Sequence, residues 1–221
     1  NWLDEILRTG VSHVHNLSFK GGNSQTNYIL NLNYRNLEGI FLKSDKEEFQ
    51  GRAEVNHMMF EDKLKLNFQL LANKSGYTST TDGGRFVTYS WRQSMIHNPT
   101  EPIKTENGKW YEKTGIFNYD NPLARIHEAD GQQDIQQIRA SSNITFNPIK
   151  QLTINALLSY DKISQDGGYY ETKSHISTVR DGRNGYATTG SSSTTTKLIE
   201  LTAQFHETFG DHTVQALAGY S

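Results

Sequence analysis

The sequence predicts an all-β protein, an antiparallel transmembrane β-barrel segment of about eight strands. Two observations predict it. Segments of about ten residues alternate apolar and polar side chains with period two, as a strand must when one face is apolar and the other wet. The connections alternate as well. Tight turns fall at 21–25, 61–63, 147–151 and 210–212, and long polar stretches run from about 36 to 47, 74 to 134 and 164 to 194. Outer-membrane barrels have short periplasmic turns and long extracellular loops, so this rhythm also orients each hairpin.

The strands are legible in order. The first, HVHNLSFK, is the weakest, because His13 and His15 share a face with Leu17 and Phe19. NYILNLNY sets Tyr28, Leu30, Leu32 and Tyr34 against Asn27, Asn31, Asn33 and Arg35. QGRAEVNHMMF offers Phe49, Gly51, Ala53, Val55, His57 and Met59 on one face. KLKLNFQLLAN sets Leu64, Leu66, Phe68, Leu70 and Ala72 against Lys65, Asn67, Gln69 and Asn73. IRASSNITF alternates through Ile138, Ala140, Ser142, Ile144 and Phe146. LTINALLSYD gives Leu152, Ile154, Ala156, Leu158 and Tyr160 against Thr153, Asn155, Ser159 and Asp161. IELTAQFHETF gives Ile199, Leu201, Ala203 and Phe205, and the last strand Val214, Ala216, Ala218 and Tyr220.

Composition agrees. Only 34% of the 221 residues are hydrophobic, yet Tyr and Phe number 11 and 10, which argues against disorder. A barrel wall reconciles the two, since only alternate strand residues need be apolar. The better strands carry no Lys, Arg, Asp or Glu on the apolar face, where a cation near the bilayer midplane costs about 2–4 kcal/mol. Phe60, Phe146 and Phe209 each precede a tight turn, where an interfacial aromatic girdle would lie. A soluble β-sandwich, such as a carbohydrate-binding or adhesin module, would produce the same alternation and remains the alternative. Net charge is −2 with scattered Lys and Arg, so nucleic acid is not an expected partner. There is no cysteine, and no apolar run approaches the length of a membrane-spanning helix. No signal peptide opens the sequence, so the expectation is an internal piece of a longer chain.

The long stretches carry local signals. Phe86, Tyr89 and Gln93 stand at helical spacing in GRFVTYSWRQSMIHNP. NPLARIHEAD reads as a short helix capped by Asn121 with Pro122 at its first position. TENGKWYEKTG reads as a small hairpin around Asn107-Gly108. The stretch from 164 to 194, rich in Gly, Ser and Thr, reads as a loop.

The string DEILRTGVSHVHNLSFKGGNSQTNYILNLNYRNLEGI, then FQGRAEVN, DKLKLNFQL, WRQSMIHNPTEPI, FNYDNPLARIHEADG and FGDHTVQALAGYS, resembles the SusC/RagA-type TonB-dependent transporters over nearly the whole sequence. The resemblance implies part of an outer-membrane barrel of roughly 22 strands with a plugged lumen. It implies import of oligosaccharides or peptides, energised through TonB, with a SusD-like surface lipoprotein as lid. On this reading residues 1–11 connect from a plug domain, residues 12–221 form the first part of the barrel in contact with outer-membrane lipid, and the TonB-coupling region lies elsewhere in the protein. The setting is the outer membrane of a Gram-negative bacterium.

No catalytic constellation stands out, and the expectation is a non-enzyme without cofactor or metal. His13 and His15 form an HxH pair with no carboxylate near in sequence. HEAD at 127–130 lacks the second His of a zinc-protease motif, and 181–185 is an incomplete calcium loop. Ligand binding needs flat rings for stacking and planar polar groups for hydroxyls or amides. The candidates are Trp91, Arg92, Asn98, Trp110, Tyr111, Asn118, Tyr169 and Tyr170.

Overall fold

Period-two alternation builds a single sheet in which neighbours in sequence are neighbours in space. The computed structural model describes residues 1–78, 86–113, 115–116 and 119–221, and for residues 86–88 the backbone alone. The elements are α1 (Trp2–Ile6), β1 (Ser12–Gly22), β2 (Thr26–Glu38), β3 (Asp45–Met59), β4 (Leu64–Thr78), α2 (Phe86–Ile96), α3 (Pro122–His127), β5 (Ala129–Ile149), β6 (Leu152–Glu171), α4 (Ile176–Arg180), β7 (Tyr186–Phe209) and β8 (His212–Tyr220). The strands follow the order β1 to β8 in one antiparallel sheet, open between β1 and β8. Among the described residues there is no second sheet, so the sandwich alternative falls.

Every turn predicted to be tight joins a hairpin at one end of the meander. Asn23 closes the first, its Oδ1 accepting from the N–H groups of Gln25 (2.9 Å) and Thr26 (2.8 Å). Phe60, Glu61 and Asp62 turn the second with φ of 56°, 57° and 65°, a left-handed run that costs roughly 1–2 kcal/mol per residue without glycine.

The strands are longer than the ten or so residues expected. β5, β6 and β7 have 21, 20 and 24 residues. The loop expected over 164–194 is therefore mostly strand, leaving only 172–185 between β6 and β7. The other connections shrink to 39–44 and 79–128. The cause is that the outer halves of β5 to β7 carry polar residues on both faces, so they show no alternation to read. Ser and Thr pair there as strand residues, Ser191 against Asp166 and Thr189 against Gly168.

Register places like on like. One row runs Leu17, Leu32, Gly51, Ala72 and Ile138, and a lower one Tyr28, Val55, Phe68, Ser142, Leu158 and Ile199. This apolar face is bare, with Ile138 at 53% and Ile199 at 56% exposure. A contiguous apolar face of this extent is foreign to a soluble monomer. The opposite face carries an amide ladder across three strands. Asn56 donates to Asn27 at 3.0 Å, and Asn67 donates to Asn56 at 2.7 Å. Ser18 meets Asn31, and Thr145 meets Asn155, in the same manner. Such pairs satisfy their own polar groups and stabilise the register.

The buried core lies elsewhere. Trp2, Ile6, Leu123 and Ile126 pack together at the long-loop end, with Leu3, Leu7, Phe41, Leu42, Ile103 and Trp110 against them. At roughly 1.5–3 kcal/mol per buried side chain, this cluster holds the helices together as a cap. The cap is tied to the strands by Leu7 bridging Phe41 and by the Lys43 ammonium donating to the Ala129 carbonyl at 2.9 Å. It covers the amide face: the buried residues at that end of β4 to β6, Ser75, Ala129, Gly131, Tyr169 and Glu171, all lie on the polar face of the register.

Candidate functional site

The cap is organised around Asp120 and Asn121, which precede α3. Asn121 is the N-cap, its Oδ1 accepting from Leu123 N–H (3.0 Å) and Ala124 N–H (3.1 Å). Its Nδ2 donates to the carbonyls of Ile103 and Tyr111 at 2.9 and 3.1 Å, pinning the hairpin formed where Lys104 bridges Trp110. Pro122 opens α3 where a missing N–H costs nothing.

Asp120 is 1% exposed and joins three helices. Arg125 of α3 reaches its Oδ2 at 2.7 Å, Arg180 of α4 pairs with Oδ1, and the Tyr89 hydroxyl of α2 donates at 3.2 Å. The Asp120 N–H donates to Oε1 of Gln93, also on α2, at 3.0 Å. Arg125 further stacks over the Tyr89 ring, 4.3 Å from its centroid. One carboxylate with two guanidinium groups is a buried network in which every member depends on the others. Burial, then the Asp120 charge, raises the Tyr89 phenol, so it remains a donor.

Glu112 lies beneath this network, accepting from the Asn121 N–H at 3.0 Å. Its other oxygen is buried without a hydrogen bond, and burial pushes its carboxyl up to about 7. On the opposite side, His97 stacks on Tyr119 (centroids 4.0 Å) and meets Trp2 edge-on (4.7 Å). Burial lowers its basicity, against the pull of Glu101. Glu101 takes the Tyr119 hydroxyl at 2.9 Å and the Lys113 ammonium. Those two donors outweigh burial and keep its carboxyl below the usual range.

A third group fastens the cap to the sheet. The Trp110 indole donates to Glu128 at 2.7 Å, stacks on His127 (5.4 Å) and lies under the Lys104 ammonium (4.6 Å). Glu171, at the end of β6, accepts from Tyr169 (2.9 Å) and Thr178 (3.2 Å). His175 caps α4 through Nδ1, accepting from Ser177 N–H at 3.3 Å. Burial drives its pKa down to about 4, outweighing the nearby Glu171 carboxylate.

The predicted binding residues divide accordingly. Trp91 and Arg92 are exposed on α2, with Trp91 edge-on to Phe41 at 6.0 Å. Asn98 closes a turn, its Oδ1 accepting from Thr100 and its carbonyl from the Trp2 indole at 2.9 Å. Trp110 is a strut of the cap, Tyr111 is half-buried and joins the cap through its backbone carbonyl, and Tyr169 is buried. Tyr170 is exposed and lines a groove of about 1130 Å³ with Tyr34, Phe49, Lys74, Asp134 and Thr189. That groove lies on the face continuous with the apolar band, away from the cap. Asn118 lies outside the described residues. The residues that hold the cap together, Asp120, Arg125, Arg180 and Glu112, were not singled out by sequence. Charged residues far apart in the chain leave no periodic trace, and only the Asn121-Pro122 cap next to Asp120 marked the place.

On the amide face of the sheet a hollow of about 310 Å³ is lined by Gln50, Arg52, Gln69, Arg139 and Ser141. Arg139 is paired there with Asp161 through Nε (3.0 Å) and Nη2 (2.5 Å).

An eight-stranded meander with one bare apolar face, one amide face and a helical cap over one end of the amide face is a piece of antiparallel barrel wall. The comparisons agree. TonB-dependent receptor P3 of Formosa agariphila is 23% identical over 229 residues, covering 100% of this chain and 22% of that protein. SusC of Bacteroides thetaiotaomicron is 28% identical over 126 residues, 55% of this chain and 12% of that protein. The RagAB peptide importer in its closed-closed state superposes with a TM-score of 0.74 at 18% identity, covering 99% of this chain and 25% of that one. No family model matches the sequence. The chain spans about a fifth of the length of the curated relatives it matches over its whole extent. Over its whole extent the chain is similar to TonB-dependent receptors, over about half of it to SusC, and its fold is that of a RagAB barrel segment.

Proposed function

We propose that this segment is wall and mouth of an outer-membrane importer. The apolar face meets lipid, the amide face lines the lumen, the tight turns lie in the periplasm, and the cap sits over the lumen at the extracellular mouth. The observation that carries this is the register, which keeps apolar on apolar across eight strands and leaves that face bare. Several amides of the lumen face pair with one another across strands, as on a hydrated wall around a plug. Residues 1–11 lie at the cap end, with Trp2 and Ile6 in its core, so they act as part of the mouth whatever domain they connect to. The importer takes up oligosaccharides or peptides with energy delivered through TonB, and a SusD-like lipoprotein closes over the cap. The exposed ring of Trp91 and the polar Arg92 and Asn98 are the residues of the cap left available to substrate or lid, while Tyr170 stands on the outer face away from the cap. The bulk of the cap is not chemistry but a scaffold that holds them, and the relatives are receptors and transporters.

The test is uptake by cells carrying the full-length transporter. Removing the charge at Asp120 is expected to lower uptake of labelled oligosaccharide or peptide while the barrel still assembles. Wild-type uptake by a variant whose cap has been shown to be loosened would refute a role for the cap in transport.

A further inference from the structure

The outer face changes character abruptly at one level. On β4, β6 and β7 the apolar series ends at Ala72, Tyr160 and Ile199, and the first charged residue beyond it on the same face is lysine in each strand: Lys74, Lys162 and Lys197. Lys162 pairs across the ladder with Thr195, and Lys197 with Tyr160. The two lysines are therefore diagonal neighbours on one face, at a separation of roughly 7–8 Å between backbones. Ser164 and Ser193, opposite one another on the next row of that face, add hydroxyl groups. Both lysines are exposed, and among the described residues neither forms an ion pair. The amide face differs, because there Arg139 is neutralised by Asp161 and Arg52 lies 3.4 Å from Glu54. On β5 and β6 acids appear on the outer face only further up, as Asp134 opposite Asp166.

We propose that Lys162 and Lys197, with Tyr160, Thr195, Ser164 and Ser193 around them, form a binding site for the phosphate of an anionic lipid headgroup in the leaflet at the long-loop end. This rests on the reading of the apolar face as lipid-facing. Two ammonium groups at the rim of the apolar band stand at headgroup depth, where their stems can lie along the apolar surface. Their hydroxyl neighbours supply donors to phosphate oxygens. An unpaired cation pair on a face that ends in lipid is complementary to a doubly charged phosphate, which a zwitterionic headgroup does not offer as net charge.

The experiment uses the full-length transporter in nanodiscs containing zwitterionic lipid with a minor share of bisphosphorylated lipid A, and reads lipids retained by native mass spectrometry. A tryptophan placed at Leu158 reports quenching by brominated acyl chains. The wild type is expected to retain phosphorylated lipid A over its dephosphorylated form, and Lys162→Gln/Lys197→Gln to lose about thirtyfold in retention, at about 1 kcal/mol per lysine. Lys162→Arg/Lys197→Arg should restore it, and Lys65→Gln on the amide face should change nothing. Free inorganic phosphate at millimolar concentration should not compete, since the apolar band is part of the site. Equal retention by the double Gln variant, with Leu158→Trp quenched, overturns the phosphate site alone. Absence of quenching at 158 overturns the lipid-facing reading beneath it, and competition by free phosphate overturns the lipid as source.

Discussion

Replacing Asp120 by alanine removes the one carboxylate shared by Arg125 and Arg180. Arg125 is 15% exposed and Arg180 33%, so the first guanidinium is left nearly buried and the second can swing toward water. Loss of one member of a buried ion pair costs about 3–5 kcal/mol. The greater exposure of Arg180 reduces this, and the lost Tyr89 hydrogen bond adds about 1 kcal/mol, while the backbone N–H at position 120 keeps its bond to Gln93. A net local destabilisation of about 3 kcal/mol is expected. The barrel strands, which share few side chains with this network, should be unaffected. Hydrogen exchange by mass spectrometry on the full-length protein reads this directly. Amides of α2 and α3 should exchange about a hundredfold faster, while β4 to β7 below the cap keep wild-type protection. Cap protection within twofold of wild type would refute the claim that Asp120 ties these helices together. Equal loss along the strands would refute the separation of cap from wall.

Leu158→Arg puts a cation in the apolar band and should cost about 2–4 kcal/mol in bilayer folding titrations, whereas the neighbouring Ser159→Arg on the amide face should be tolerated; equal costs would reverse or void the facing. Glu112, raised to about 7, is neutral in the cap where the opened chain is ionised, so cap protection should fall as pH rises from about 4.5 to 7 and level off above. Screening at its half-buried position limits this to about 2 kcal/mol, and Glu112→Gln should remove that dependence. His175, depressed to about 4, works the other way: its contribution is present above about 6.5 and is lost as pH falls toward 4, so α4 should open first in acid. Protection of α4 unchanged at pH 5 would refute this. Trp110→Phe keeps the ring on His127 but leaves Glu128 without the indole donor, so cap protection should drop by roughly 1–3 kcal/mol in the same exchange measurement.

How much was legible in the sequence follows from which forces are local. NYILNLNY and KLKLNFQLLAN show their faces because each strand separately must divide an apolar side from a polar one, and the paired register then joins Val55 to Phe68 without further instruction. Asn121-Pro122 and Asn107-Gly108 were legible for the same reason, since caps and turns are made within a few residues. The upper halves of β5 to β7 were not legible, because a strand in water on both sides has no period. Ser191 and Thr189 become strand residues only because β6 is there to pair with them.

The sequence by itself determined the meander, its eight strands, its tight turns and which side chains share a face, because alternation and turn chemistry act within one hairpin. The tertiary structure alone decided that the loops fold back over the amide face as a cap. It also decided that Trp110 and Tyr169 pack into the structure rather than form open surface, and that Asp120 binds helices 31 and 60 residues away. Buried charges pair by proximity in space, and a chain carries no local record of which distant partner will neutralise them.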